Sequence, residues 1–170
     1  MAHETLMAPW RKRTGRVFPQ ILVAASVAVV AGATIGLFAT PYMGVATTAF
    51  ALMVAGYALR RNPRSHVPLM VSAIGMDLGL VLVLEVQRDA VAKALSFTLG
   101  VLPQLHIACS ASAAALYFPI LALGLIRLKG YGGWRTRRAH LTLGTIAFAL
   151  RALGFCFMFS LLLARHGGGS

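Results

Sequence analysis

The sequence predicts an all-α membrane protein, built as a bundle of five transmembrane helices. Of its 170 residues, 58% are apolar and only 12% are charged, which is far from the balance of soluble globular domains. The charged residues fall into short clusters, and the stretches between them carry almost none. A soluble domain needs charged residues over its whole surface. This distribution therefore excludes that class, together with disordered chains, fibrous repeats and disulfide-bonded scaffolds.

The helices are predicted from five predominantly apolar runs. Each run has about 20 residues, which is enough to cross about 30 Å of hydrocarbon as a helix. A cleaved signal peptide is the alternative for the first run, but the run is too long and no small-residue cleavage site follows it. The second run comes directly after Thr40 and Pro41, so we expect the first two helices to form a tight hairpin. The third is the least uniform, since it contains Asp77. The predicted spans are residues 17–39, 41–59, 66–86, 104–126 and 141–163.

The remaining segments are short. Residues 1–16 are predicted to form a basic segment at the cytoplasmic membrane surface, and residues 17–163 are predicted to form a single transmembrane domain. The longest connection, residues 87–103, is predicted to form a short surface helix, with a re-entrant loop as the alternative. Residues 164–170 end in Gly-Gly-Gly-Ser, which predicts a flexible tail and resembles the remnant of an expression tag.

The basic residues predict the orientation. Twelve Lys and Arg lie on one side of the predicted spans and three on the other, with Arg151 left inside a span. By the positive-inside rule the amino terminus is cytoplasmic and the carboxyl terminus is outside, as in a multi-pass protein of a bacterial inner membrane. The net charge of +12 does not indicate nucleic acid as a partner, because no basic stripe with interleaved aromatic residues is present.

Two ionisable residues, Asp77 and Arg151, lie near the middle of predicted spans. A charge in hydrocarbon costs a few kcal/mol or more, so each requires a partner. Asp77 comes eleven residues after His66, and Arg151 comes eleven after His140. Because both spans run outward from the cytoplasm, we expect Asp77 level with Arg151 and His66 level with His140. The prediction is an intramembrane ion pair, which either only fixes the helix register or also handles a ligand or protons.

Two Gly-x-x-x-Gly patterns mark places where a neighbouring helix can approach closely. They are Gly32 with Gly36 in the first span and Gly75 with Gly79 in the third.

One face of the third span carries an imidazole, a thioether and a carboxylate. Its residues are His66, Met70, Ala73 and Asp77, at helical spacings of four, three and four. His66 and Met70 could contribute to a copper site, and His66 with His140 could ligate a haem iron from two helices. The alternative is that both histidines are solvated at the headgroup boundary and that Met70 is an ordinary packing residue.

On the outer side, Glu85 and His106 are expected at comparable depth and could form a carboxylate and imidazole pair, either a proton entry site or an interfacial pair without function. Cys109 and Cys156 lie in apolar runs and are expected to be buried thiols rather than a disulfide. With His106 they offer a further soft-metal alternative.

From about residue 61 to 163 the order of landmarks resembles a family of small bacterial multi-helix membrane proteins of largely unknown function. One branch of that family is implicated in maturation of haem-copper terminal oxidases. The resemblance implies that His66, His106 and His140 are the positions to test as haem or copper ligands. Pro68 departs from the pattern, which favours a polar or basic residue nearby. The matching stretches are His66-Val67-Pro68-Leu69-Met70, Leu105-His106-Ile107 and Arg138-Ala139-His140.

Three functions follow as hypotheses. The first is an accessory or assembly protein of a respiratory oxidase, binding haem or copper through its His-bearing helices. The second is a haem b electron-transfer protein. The third is a small channel or transporter that uses Asp77 and Arg151 and acts as a homo-oligomer, because five helices alone make a poor pore. An enzyme is disfavoured, since no spaced nucleophile and base and no phosphate-binding loop are found.

Overall fold

The computed structural model describes residues 17–89 and 100–167, together with residues 92 and 96. Within these residues the only regular secondary structure is the α-helix, and there is no strand. In chain order the helices are α1 (Val17–Phe38), α2 (Pro41–Ala58), α3 (Pro63–Arg88), α4 (Val101–Leu128) and α5 (Trp134–Gly167).

Four of these helices contain segments that are long and apolar enough to cross a membrane, as the predicted membrane class requires. The exception is the 18-residue helix α2, which is not among these segments, so its assignment as a fifth span stays a prediction. The four segments are Pro19–Phe38, Pro63–Gln87, Val101–Leu128 and Trp134–Ser160.

Helix α5 is longer than predicted at both ends. It begins at Trp134, so the basic residues expected in a loop occupy its first turns instead. It also continues to Gly167, so the predicted tail at 164–170 is helical in its first four residues, while residues 168–170 lie outside the described part. The helix can begin early because the short turn before it has Gly130 and Gly132 at positive φ, a conformation that glycine adopts without strain.

The predicted surface helix or re-entrant loop at 87–103 falls partly outside the described residues, and neither form is tested. At its two ends, Gln87 belongs to α3 and Val101 to Pro103 belong to α4. Asp89 has a φ of 46° and its N–H donates to the Glu85 carbonyl at 3.0 Å, so it ends α3.

The chain divides into two compact units, Met1–Leu80 and Val81–Ser170. The boundary falls inside α3, and one domain over residues 17–163 stays a prediction. In the first unit α1 packs against α2, which confirms the predicted hairpin. Thr40 is the N-cap of α2: its Oγ1 accepts from the Met43 N–H at 3.2 Å. Pro41 fits the first turn, where its missing N–H leaves no bond unmade.

The α1–α2 contact is built on glycine. A Cβ at Gly44 would lie 2.7 Å from the Gly32 carbonyl oxygen and 2.9 Å from the Gly36 Cα. A Cβ at Gly32 would overlap Thr48 Oγ1. The first Gly-x-x-x-Gly pattern, Gly32 with Gly36, therefore allows a neighbouring helix to approach closely, as predicted. The second differs, because no described atom lies within 4 Å of a Cβ built at Gly75 or at Gly79.

In the second unit α4 packs against α5, and the two run antiparallel because only five residues connect them. Their described buried residues are three small ones, an isoleucine, a tyrosine and an arginine. The buried residues of this pair include Ala113, Tyr117, Ile120, Ala147, Arg151 and Gly154.

We expect Gly44→Ala to lower the free energy of unfolding by about 1–3 kcal/mol, because the added methyl group meets main-chain atoms that cannot yield without separating the helices. Reversible unfolding of the purified protein in mixed detergent micelles measures this loss. Gly75→Ala is the matched control: its methyl group meets open space and gains up to about 1 kcal/mol of helix propensity. Equal stability of the two variants would contradict the packing described for α1 and α2.

Candidate cofactor site

The imidazole of His66 caps the end of α2. Its Nδ1 lies 2.8 Å from the carbonyl oxygen of Gly56. This carbonyl belongs to the last turn of α2, where carbonyls lack the usual partner four residues on. The Arg60 N–H bonds instead to the Tyr57 carbonyl, at 3.2 Å. His66 therefore joins the start of α3 to the end of α2.

Met70 packs on the same glycine. A Cβ at Gly56 would lie 2.8 Å from Met70 Sδ and 3.3 Å from Leu69 Cβ. The structure thus brings the imidazole of His66 and the thioether of Met70 against one residue of α2. Nitrogen and thioether donors together suit a soft ion such as Cu(I).

His106 repeats this arrangement between α4 and α5. Its Nδ1 lies 2.7 Å from the carbonyl oxygen of Gly154. A Cβ at Gly154 would lie 2.7 Å from Ser110 Oγ and 3.6 Å from Cys109 Cβ. Ser110 Oγ in turn accepts a hydrogen bond from Arg151 Nη1 at 3.4 Å. A polar cluster therefore occupies the interior of this helix pair.

His140 forms the third such contact. Its Nδ1 lies 3.2 Å from the Ile120 carbonyl oxygen, and its Cε1 would lie 3.4 Å from a Cβ at Gly124. The Nδ1–Cε1 edge of the ring therefore lies on α4. Here the added methyl group of an alanine would make an ordinary contact.

The three contacts share one chemical consequence. A carbonyl oxygen can only accept a hydrogen bond, so Nδ1 of His66, His106 and His140 carries the proton. In a neutral ring the lone pair then belongs to Nε2, which is the ligand atom for a metal. Histidines that bind metals usually donate their other N–H to a main-chain carbonyl or a carboxylate in this way. All three rings are half-buried.

The structure places the charged residues predicted for mid-membrane in the interior. Asp77 and Arg151 are each 5% exposed. They belong to different units, and the ion pair between them stays a prediction, as does the pairing of Glu85 with His106.

The two cysteines are free thiols, as predicted. Cys109 is half-buried and faces Gly154. Cys156 is exposed, so its predicted burial is wrong. It follows Gly154 by two residues, which places it about 200° around α5 and away from α4.

Among the described residues, no group of three or more His, Cys, Asp or Glu side chains is close enough to hold a metal ion. A site closed by such ligands alone is therefore not formed within that part of the chain. Ligation by one or two imidazoles, or by an imidazole with a thioether, is the chemistry that these side chains offer.

Comparison of the chain with models of protein families, with curated proteins and with solved structures gives no match. The functional interpretation of the candidate site therefore rests on the geometry of its residues.

Sequence reasoning identified the histidines but missed their partners. Gly56, Gly124 and Gly154 occur singly within apolar helices, and no spacing relates them to the histidines that contact them. The available signal was weak: a glycine inside a helix costs about 1 kcal/mol relative to alanine and therefore suggests a close contact.

We expect Asp77→Asn and Arg151→Gln each to cost about 3 kcal/mol or more of unfolding free energy, because each leaves the opposite buried charge without its predicted counterpart. The double variant should lose no more unfolding free energy than either single variant. Unfolding in mixed micelles, analysed as a double-mutant cycle, measures the coupling. Ser110→Ala is the control, since it removes a contact of Arg151 without removing charge. Additive losses from the two charge substitutions would refute the ion pair.

Proposed function

We propose that this chain is an integral membrane accessory or assembly protein of a respiratory oxidase, binding haem or copper through its His-bearing helices. The observation that supports this proposal is the shared hydrogen bond from histidine Nδ1 to a main-chain carbonyl, which directs metal ligation to Nε2 of His66, His106 and His140. The oxidase as a partner rests on the family resemblance of the sequence.

Two binding modes are compatible with the donors. For haem, His66 and His140 are the proposed pair of histidines that would hold the iron. Copper takes His66 with Met70, which pack on the same glycine. An electron-transfer haem protein is the second candidate function, supported by the same imidazoles. It differs in that the haem would stay bound and cycle between two oxidation states.

The proposed setting is a bacterial inner membrane, with α2 as a fifth span, the amino terminus in the cytoplasm and the carboxyl terminus outside. The distribution of Lys and Arg supports this orientation. Trp134 is 63% exposed at the start of α5, beside the basic residues, as expected of an aromatic anchor at the membrane surface. Assembly into a homo-oligomer belongs to the same proposal.

We expect His66→Asn to abolish haem or copper binding and His140→Asn to abolish haem binding, while the protein stays folded. The amide nitrogen of asparagine can replace Nδ1 as the donor to the carbonyl, but nothing replaces Nε2. The alanine variants remove both, and His66→Ala should in addition cost about 1–3 kcal/mol of stability, because the Gly56 carbonyl at the end of α2 loses its partner. Absorption spectra and metal analysis of the purified protein, together with thermal unfolding, measure both effects. Asparagine variants that retain full cofactor would contradict the proposal.

We expect a cysteine introduced at position 131, in the α4–α5 turn, to be protected from a membrane-impermeant thiol reagent in intact cells and to react after lysis. Tyr131 is 71% exposed, so the substitution does not disturb packing. The background carries Cys109→Ser and Cys156→Ser, and a cysteine at position 89, on the opposite side, is the control. Labelling of position 131 in intact cells would reverse the proposed orientation.

A further inference from the structure

Two arginines flank the His140 contact at the end of the α4–α5 pair. His140 on α5 meets Gly124 on α4. Arg127 follows Gly124 by three residues, and Arg137 precedes His140 by three. Residues three apart lie on the same face of a helix. Because the helices are antiparallel, both arginines lie one turn, roughly 5 Å, from the contact toward the α4–α5 turn.

Both guanidinium groups are on exposed side chains. The segment that contains them has no acidic residue, and its basic residues are Arg127, Lys129, Arg135, Arg137 and Arg138. Arg138 is directed elsewhere, since its guanidinium lies 4.7 Å from the centre of the Trp134 ring.

This charge indicates which of the two metal-bearing ligands suits His140. A bare Cu(I) ion approaching His140 would meet a concentration of like charge, which raises its energy. A metalloporphyrin with carboxylate side chains brings its metal to the imidazole and its anionic edge to the arginines. Its apolar ring then remains among apolar helices, and its carboxylates remain at the polar boundary, where they need not be desolvated.

We infer that the group bound at His140 is an iron porphyrin, and that Arg127 and Arg137 hold its carboxylates. This inference rests on the proposed function and says which of its two ligands His140 takes. The imidazole supplies the bond to iron, and the arginines select the porphyrin by charge and fix how its plane is turned.

The experiment compares haem with its dimethyl ester, which has the same ring and iron but no carboxylates. Each is titrated into the detergent-purified protein, and binding is followed by absorbance. We expect the ester to bind the wild type about 10-fold more weakly than haem, or worse, since two charge-assisted contacts are lost. The double variant Arg127→Gln/Arg137→Gln should lose a similar factor for haem and almost nothing for the ester.

Arg138→Gln is the matched control. It removes the same charge from the same turn of α5, but from an arginine that lies over Trp134, so haem affinity should change by less than about 2-fold through the long-range field alone. Raising the salt concentration should weaken haem binding to the wild type and leave ester binding nearly constant.

Equal affinities of the wild type for haem and ester would overturn the inference while leaving haem ligation intact. An equal loss in Arg138→Gln and in the double variant would also overturn it, since net charge rather than position would then control affinity. Binding of Cu(I) by the wild type without binding of either porphyrin would reject the inference and retain the copper form of the proposed function. If haem, its dimethyl ester and Cu(I) all fail to bind, the proposed function itself is rejected.

Discussion

The hydrogen bond from a histidine Nδ1 to a main-chain carbonyl of the neighbouring helix is the interaction on which the candidate site depends. It holds the ring in a fixed orientation between two helices, and it leaves Nε2 as the nitrogen with the lone pair. Such a bond contributes only about 0.5–1.5 kcal/mol net, but the loss would cost more at Gly56, whose carbonyl lies in the last turn of α2 and would be left without a partner. One contact can therefore stabilise a helix pair and prepare a ligand, so the structural and the functional roles of His66, His106 and His140 do not exclude each other.

Glycine makes these contacts possible. At Gly56 and Gly154 an added methyl group would come within 3 Å of a neighbouring side chain, which real structures do not tolerate without movement. The same device brings α1 and α2 together at Gly32 and Gly44. Helix pairs in a membrane gain little from apolar burial, because lipid is as apolar as their side chains, and close packing at small residues is the main source of their stability. An imidazole ring is held where such closely packed helices also present a main-chain carbonyl to its Nδ1.

Charge is the second constraint. The chain has 16 Lys and Arg against 4 Asp and Glu, so anionic groups are favoured ligands near its basic ends, and bare cations are not. In the interior the balance is different: Asp77 and Arg151 are buried, each within a stretch of its helix that carries no other charge. A buried charge is costly enough that the arrangement around it strongly restricts how the helices can pack.

The helices and the hairpin at Thr40 and Pro41 could be predicted from the sequence, because apolar length and a proline at the first turn depend on local chemistry alone. The early start of α5 was not predicted, because a cluster of charged residues such as Arg135, Arg137 and Arg138 suggests a loop between membrane spans. Arginine is nevertheless a good helix former. The histidines could be identified as candidates by residue type. Their partners could not, because the contact of His106 with Gly154 joins residues 48 positions apart and depends on how α4 and α5 turn about their axes.

The most direct test of this account is nitrogen NMR of the protein labelled at histidine, with each ring assigned by substitution. Chemical shifts and proton couplings of the ring nitrogens report which of the two carries hydrogen. For His66, His106 and His140 the account predicts a protonated Nδ1 and an unprotonated Nε2 when the rings are neutral and no cofactor is bound. Protonation at Nε2 with a bare Nδ1 would remove the hydrogen bonds to the carbonyls, and with them the basis for metal ligation at these positions.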